Sequence, residues 1–114
     1  MSNLADPQPT ILVIDDSADQ LTVLGELLQP HYHVRVASNG QRGLQLAAEA
    51  PLPDLILLDV MMPRMDGYHV LKALRGQPLT RDIPVMFVTA LDTAGEEQHG
   101  LLMGAADYIV KPFN

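Results

Sequence analysis

Short apolar segments alternate along the chain with longer segments whose apolar residues recur at helical spacing. The short segments predict five β-strands: Thr10–Ile14, His33–Ala37, Asp54–Leu58, Pro84–Val88 and Asp107–Val110. Four of them are almost continuously aliphatic, as is typical of parallel strands that are buried on both faces. His33–Ala37 alternates polar and apolar residues instead, which favours a place at the edge of the sheet.

The segments between these strands predict four helices. Three have clear apolar stripes, which run along Leu21, Leu24 and Leu28, along Leu44, Ala47 and Ala48, and along Gly67, Val70, Leu71 and Leu74. The fourth helix, at about residues 94–103, has the weakest stripe and is a candidate moving part. The strict alternation of strand and helix predicts an α/β fold with a parallel sheet and helices on both of its faces.

Residues that favour the ends of helices support these assignments. Capping-box spacing predicts that Ser17, Ser38 and Thr93 begin the first, second and fourth helices, and Asp66 is expected to cap the third. Pro30 and Gly76 are expected to end the first and third helices.

Composition narrows the class of protein. The 114 residues suffice for one small domain, and a net charge of −7 argues against direct binding to nucleic acid or to anionic lipid. The absence of cysteine excludes disulfides and is compatible with a cytoplasmic location. No apolar run is long enough to cross a membrane, and the amino terminus does not resemble a signal peptide.

Polar residues follow the predicted strands where a parallel sheet places its ligand site, beyond the carboxyl ends. Asp15 and Asp16 follow the first strand, Asp59 the third, Thr89 the fourth and Lys111 the fifth. Three converging carboxylates repel one another, and Mg²⁺ would relieve that repulsion. A carboxylate, a cation, a hydroxyl and an amine together could accept a phosphoryl group by in-line attack.

Each of these residues also has a structural explanation. Asp15 or Asp16 could cap the first helix, although Ser17 is already suited to that role, and Lys111 could belong to a solvated edge. Asp59 does not precede a predicted helix, so capping explains it poorly. The functional interpretation rests on the joint pattern rather than on any single residue.

Four motifs in this order resemble the receiver domain of two-component response regulators. They are ILVIDD at 11–16, DLILLDVMMP at 54–63 with MDG at 65–67, PVMFVTA at 84–90, and GAADYIVKPF at 104–113. The resemblance runs from about residue 10 to the last residue. It implies a flavodoxin-like, doubly wound sheet with strand order 2-1-3-4-5.

The resemblance also implies a role for each matching residue at the site. Asp59 matches the phosphoacceptor, which takes its phosphoryl group from a histidine kinase or phosphotransfer protein. Asp15 and Asp16 match the pair that binds Mg²⁺ together with Asp59, and the backbone carbonyl of Met61 matches a further ligand. Lys111 matches the lysine that pairs with the acceptor carboxylate and the phosphoryl oxygens.

Three more matches imply a conformational switch. Thr89 matches the hydroxyl that moves toward the phosphoryl group, Ala90 the small residue beside the pocket, and Tyr108 the aromatic residue that turns inward. We expect Thr89 to gain a charge-assisted hydrogen bond, to the added phosphoryl group, only in the phosphorylated state. The domain would then be a switch in a phosphorelay that assists its own phosphorylation and dephosphorylation, and not an enzyme acting on another substrate.

Three rival interpretations remain open. A flavodoxin-like mononucleotide binder is disfavoured because Asp15 and Asp16 would repel phosphate. A haloacid-dehalogenase-like phosphohydrolase is disfavoured because it needs two aspartates spaced by one residue after the first strand. An adaptor that is never phosphorylated is the hardest rival to separate.

The ends of the sequence carry two further expectations. Residues 1–9 are expected to form a flexible tail before a receiver domain over residues 10–114. Receiver domains normally have a fifth helix after the last strand, and this chain stops at Asn114. We therefore expect one face of the sheet to be covered by the first helix alone, and to be completed by self-association, such as a homodimer, or by another chain.

Overall fold

A single parallel sheet with strand order β2-β1-β3-β4-β5 organises the protein, which confirms the expected fold. The computed structural model describes residues 8–90 and 94–111. The strands are β1 Thr10–Ile14, β2 His33–Ala37, β3 Leu55–Leu58, β4 Val85–Thr89 and β5 Asp107–Val110. The helices are α1 Ala18–Leu28, α2 Gly40–Ala47, α3 Gly67–Arg75 and α4 Ala94–Leu102.

Alternate residues of each strand supply two separate apolar cores. In β1, Leu12 and Ile14 face the larger core, which also includes residues of α2 and α3 such as Leu46 and Leu71. Ile11 and Val13 face the smaller core with Leu24 of α1. Both faces of the central strands are therefore buried, which explains why their sequences are continuously aliphatic.

The edge strand β2 differs from the central strands as its sequence predicts. It pairs only with β1, and its residues are mostly exposed or half-buried. Arg35 turns one guanidinium nitrogen to the carbonyl oxygens of Leu46, Glu49 and Pro51, at 2.7–3.1 Å. A polar residue in this strand thus satisfies backbone acceptors at the end of α2.

The face of the sheet that carries α1 has an open apolar groove. Among the described residues, α1 is the only helix on this face, as expected, and the groove beside it has a volume of about 350 Å³. It is lined by Ile11, Leu24, Leu28, Tyr32, Leu55, Leu57, Met86, Val88 and Ile109. Self-association through this face stays a prediction.

Four predicted helix ends are confirmed and one is wrong. Ser17 caps α1, Asp66 caps α3, Gly76 ends α3, and α1 ends at Leu28, before Pro30. The cap of α2 is Asn39 and not Ser38, because the Asn39 side chain accepts the amide hydrogen of Arg42 at 2.8 Å.

The remaining boundaries differ by one residue or lie outside the described ranges. β3 begins at Leu55, one residue later than predicted, and the carboxylate of the preceding Asp54 accepts the amide hydrogen of Thr10 at 2.8 Å. β4 runs from Val85 to Thr89, one residue later than predicted. The predicted cap Thr93 and most of the predicted tail lie outside the described residues, so the division into tail and domain stays a prediction. Within the described ranges, no helix has the length and apolarity to span a membrane.

Candidate functional site

The ends of four neighbouring strands place the predicted polar residues in one pocket. Backbone hydrogen bonds continue the sheet beyond β1 and β3, because the Asp59 amide donates to the Ile14 carbonyl at 3.0 Å. On the other side, the Lys111 amide donates to the Thr89 carbonyl at 2.8 Å. The sheet thus fixes the backbone of each residue that it presents here.

Asp15, Asp16 and Asp59 form an acidic cluster at the floor of this pocket. One carboxylate oxygen of each lies within 4.8 Å of those of the other two. Asp15 and Asp59 are buried, whereas Asp16 is exposed. The cluster therefore has a buried base and one carboxylate that reaches solvent.

Lys111 supplies the positive charge of the pocket. Its Nζ atom lies 2.7 Å from Oδ2 of Asp15 and 3.4 Å from Oδ2 of Asp59. One ammonium group thus contacts two buried carboxylates. It leaves the cluster with a negative excess, since three carboxylates face one amine.

The environment of Asp59 favours its neutral form. Burial and the neighbouring charge of Asp15 raise the pKa of Asp59, while Lys111 and hydrogen bonds from Thr89 and the Met61 amide oppose that shift. The Met61 amide lies 3.2 Å from Oδ1 of Asp59. Asp59 is therefore held in place by donors but is short of positive charge.

The donor set of this pocket fits Mg²⁺. This cation binds to one or two carboxylates while keeping several waters, and the exposed Asp16 leaves a side open to water. A divalent cation would stabilise the ionised form of Asp59 against the burial and the neighbouring Asp15 charge that raise its pKa. Asp15, Asp16 and Asp59 are the side chains placed to hold it.

The expected gain of a hydrogen bond from Thr89 to a phosphoryl group stays a prediction, but Thr89 has a contact at the site before any phosphorylation. Thr89 is fully buried, and its side chain already forms a hydrogen bond with Asp59. Tyr108 is also already turned inward, with an exposed fraction of 6%, and its ring lies 6.0 Å from that of Phe87. Ala90, by contrast, is exposed just beyond β4.

Two side chains that no sequence pattern singles out as a pair join α3 to α4 beside the pocket. The hydroxyl of Tyr68 donates a hydrogen bond to the Glu96 carboxylate, and its ring packs edge-on against His99 with 4.6 Å between centroids. Tyr68 and Glu96 are far apart in sequence, and the capping-box spacing that includes Glu96 gives no indication of Tyr68. Only the packing of the two helices reveals the pair.

Comparison with known proteins places this pocket in a family. Residues 11–114 match the family described as the response regulator receiver domain. The match covers nearly the whole chain, and the sheet order and the acidic cluster agree with it. The chain belongs to the receiver-domain family of response regulators, which excludes the flavodoxin-like and dehalogenase-like alternatives.

Individual relatives agree with this assignment. The chain is 46% identical over 105 residues to the response regulator PleD of Caulobacter vibrioides, covering 91% of this chain and 23% of that protein. It is 40% identical over 105 residues to a probable cyclic di-GMP phosphodiesterase of Vibrio cholerae, covering 92% and 24%. The chain thus spans under a quarter of either relative.

A solved structure matches along almost its whole length. The chemotaxis protein CheY4 of Vibrio cholerae superposes with a TM-score of 0.86 at 33% identity, covering 94% of this chain and 89% of that one. The similarity therefore includes the fold as a whole and not only the motifs.

Proposed function

We propose that this domain accepts a phosphoryl group on Asp59 from a phosphohistidine of a histidine kinase or phosphotransfer protein. The observation that supports the proposal is the setting of Asp59, a buried carboxylate with two acidic neighbours and an amine within 3.4 Å. Capping or burial alone would not require this combination. Asp59 also stands where the sequence motifs match the phosphoacceptor of receiver domains, which supports the proposal.

The proposed reaction transfers phosphorus from nitrogen to oxygen. A carboxylate oxygen of Asp59 attacks the phosphorus atom, an O–P bond forms, and the N–P bond of the phosphohistidine breaks. The imidazole ring, protonated on its other nitrogen, leaves with the bonding electron pair and is then a neutral histidine side chain. A bound Mg²⁺ supplies charge that offsets the repulsion between the carboxylates and the incoming phosphoryl oxygens.

Residues of the chain itself orient this step. The Met61 amide and Thr89 hold the Asp59 carboxylate by hydrogen bonds, which limits its rotation. Lys111 is close enough to Asp59 to pair first with the carboxylate and then with the phosphoryl oxygens. The backbone carbonyl of Met61 is proposed as an additional Mg²⁺ ligand.

Phosphorylation would then shift a conformational equilibrium. The modification places about two negative charges and three acceptor oxygens beside Thr89 and Lys111. Thr89 already contacts the carboxylate, so the proposed signal is a strengthening of that contact rather than its creation. An output domain or partner would sense the shift, in the cytoplasm and without direct contact between this domain and nucleic acid.

A small phosphodonor tests the acceptor directly. The chain is incubated with acetyl phosphate and Mg²⁺, and the intact mass is measured. We expect one phosphoryl group on the wild-type chain, none on Asp59→Asn, and normal uptake by Asp82→Asn, a matched change at an exposed carboxylate. Equal uptake by Asp59→Asn would contradict the assignment, and no uptake by any variant would support the adaptor that is never phosphorylated.

A further inference from the structure

A hydrogen bond joins the first turns of α3 and α4 beside the acidic pocket. Tyr68 is the second residue of α3, and its hydroxyl donates to the carboxylate of Glu96 in the first turn of α4. The Tyr68 ring also packs edge-on against His99 and, with 5.4 Å between centroids, against Phe87 of β4. We call the Tyr68–Glu96 hydrogen bond the latch.

On its α3 side, the latch is connected to the backbone of Asp59. The amide of Gly67, next to Tyr68, donates to the Val60 carbonyl at 2.9 Å. A Cβ atom at Gly67 would lie only 2.4 Å from the carbonyl oxygen of Asp59. The start of α3 therefore rests directly on the Asp59 backbone, and a displacement of either segment displaces the other.

On its α4 side, the latch holds a helix that has few buried side chains. Gly100 is the buried residue of α4, and a Cβ atom there would lie 3.0 Å from Phe87 and 3.1 Å from Tyr108. Leu102 is 79% exposed. A helix with so little buried area opens at low cost, so each remaining contact has a large effect on its position.

The latch coexists with the contact between Thr89 and Asp59. Thr89 ends β4, and α4 begins only five residues later at Ala94, so the position of α4 constrains the end of β4. Burial and the bond to Glu96 raise the pKa of Tyr68, so its hydroxyl remains a donor at neutral pH. Two contacts that are made in the same arrangement stabilise that arrangement together.

We propose that Tyr68 is a positioning residue whose bond to Glu96 holds α4 where Thr89 reaches Asp59, and thereby strengthens binding of a phosphoryl group at Asp59. This inference rests on the proposed function. One connection between Asp59 and α4 runs through Thr89 and the end of β4. The latch adds a second, which runs through Gly67 and Tyr68. By reciprocity, a latch that favours the phosphoryl-bound arrangement must raise the affinity of Asp59 for a phosphoryl mimic.

The experiment measures the affinity of the 114-residue chain for beryllofluoride, a mimic of a carboxyl-bound phosphoryl group, in excess Mg²⁺. Tyr68→Phe removes the hydroxyl but keeps the ring, and Glu96→Ala removes the acceptor. We expect each substitution to raise Kd about three- to tenfold, and the double variant to raise it no further. Hydrogen exchange of the α4 amides, measured on the same samples without beryllofluoride, is expected to become faster by a similar factor.

Matched controls separate the latch from general destabilisation. Glu97→Ala removes an exposed carboxylate from the same turn of α4, and Tyr32→Phe removes a tyrosine hydroxyl on the other face of the sheet. Both are expected to leave Kd within about twofold of the wild type. A purely structural role for Tyr68 would lower Tm without changing Kd.

Two outcomes overturn the inference, and they can be told apart. If wild type binds beryllofluoride and Tyr68→Phe binds it equally well, the latch does not influence the site, although the proposed function stands. If wild type does not bind beryllofluoride in the presence of Mg²⁺, the proposed function fails and the inference fails with it.

Discussion

Lys111 forms its shorter ion pair with Asp15, at 2.7 Å between Nζ and Oδ2. Asp15 is also one of the three carboxylates placed to hold Mg²⁺. A cation bound there would therefore compete with the amine for the same carboxylate. Binding of the cation would weaken the ion pair between Asp15 and Lys111. The amine could then pair with the negative charge at Asp59.

This competition predicts opposite effects of Lys111→Gln on two measurements. Removal of the amine leaves the carboxylates uncompensated, so we expect Mg²⁺ to bind about three- to tenfold more tightly by calorimetric titration. Phosphorylation by acetyl phosphate should slow by roughly tenfold or more, because a charge that faces the phosphoryl oxygens is lost. Lys72→Gln, at an exposed position of α3, is the control, and unchanged Mg²⁺ affinity in Lys111→Gln would contradict the competition.

The raised pKa of Asp59 predicts a pH-dependent stability. A carboxyl group whose pKa is raised by folding stabilises the folded state below its unfolded pKa, and this contribution is lost as pH rises through the folded pKa. At neutral pH without Mg²⁺, Asp59 thus lowers the stability of the folded state relative to an uncharged side chain. We expect Asp59→Asn to have a Tm higher by a few degrees in a chelator at pH 7.

The difference in Tm between Asp59→Asn and the wild type should shrink under two conditions. It should narrow as pH falls toward the ordinary pKa of a carboxyl group, because the wild-type side chain then becomes protonated and, like asparagine, uncharged. It should also narrow when Mg²⁺ is added at pH 7, since the cation stabilises only the wild-type cluster. A lower Tm of Asp59→Asn at pH 7, with Asp82→Asn unchanged, would show that the attraction of Lys111 outweighs burial.

Two glycines offer a matched pair of substitutions. Gly67→Ala would place Cβ 2.4 Å from the Asp59 carbonyl, and we expect a loss of about 2–3 kcal/mol in the free energy of unfolding. Gly25→Ala lies in α1 with nothing within 4 Å of the new Cβ, and we expect a gain of about 0.5–1 kcal/mol. Urea denaturation measures both. A loss of unfolding free energy in Gly67→Ala well below the expected range would mean that α3 can move away from Asp59.

Alkaline titration tests whether the latch exists in solution. The bond to Glu96 contributes to the raised pKa of Tyr68, so Glu96→Ala should lower that pKa and Glu97→Ala should not. The absorbance of tyrosinate, corrected with Tyr68→Phe, follows this group alone. Because the folded-state pKa is raised, the contribution of Tyr68 to stability is present below about pH 10 and is lost as pH rises further. Identical titration curves for Glu96→Ala and wild type would exclude the bond.

The sheet and its acidic pocket could be predicted from sequence because each depends on local pattern plus one topological rule. Aliphatic runs locate the strands, and parallel strands bring residues that follow them, such as Asp15 and Asp59, to one edge. The exact residue that caps a helix is harder to predict, because neighbouring residues compete for that position. Ser38 fits the capping-box spacing, but it is the side chain of the adjacent Asn39 that caps α2.

Contacts between side chains that are distant in sequence could not be predicted in the same way. Nothing in the spacing of Tyr68 and Glu96 indicates that their helices meet. The hydrogen bond of Thr89 to the unmodified Asp59 carboxylate cannot be predicted either. The family resemblance implies that the Thr89 hydroxyl moves on phosphorylation, and it does not indicate where that hydroxyl lies beforehand. Such contacts depend on rotamers and helix positions that only tertiary packing sets.

The contact of α4 with the sheet through Gly100 has a consequence for the diversity of signalling. Because this helix approaches Phe87 and Tyr108 at a position without a side chain, its outer residues Ala94, Glu97, Gln98, Leu101 and Leu102 are largely independent of the core. Substitutions there would change what the helix can recognise while leaving the acidic pocket chemically intact. The same phosphorylation chemistry could in this way control many different binding partners.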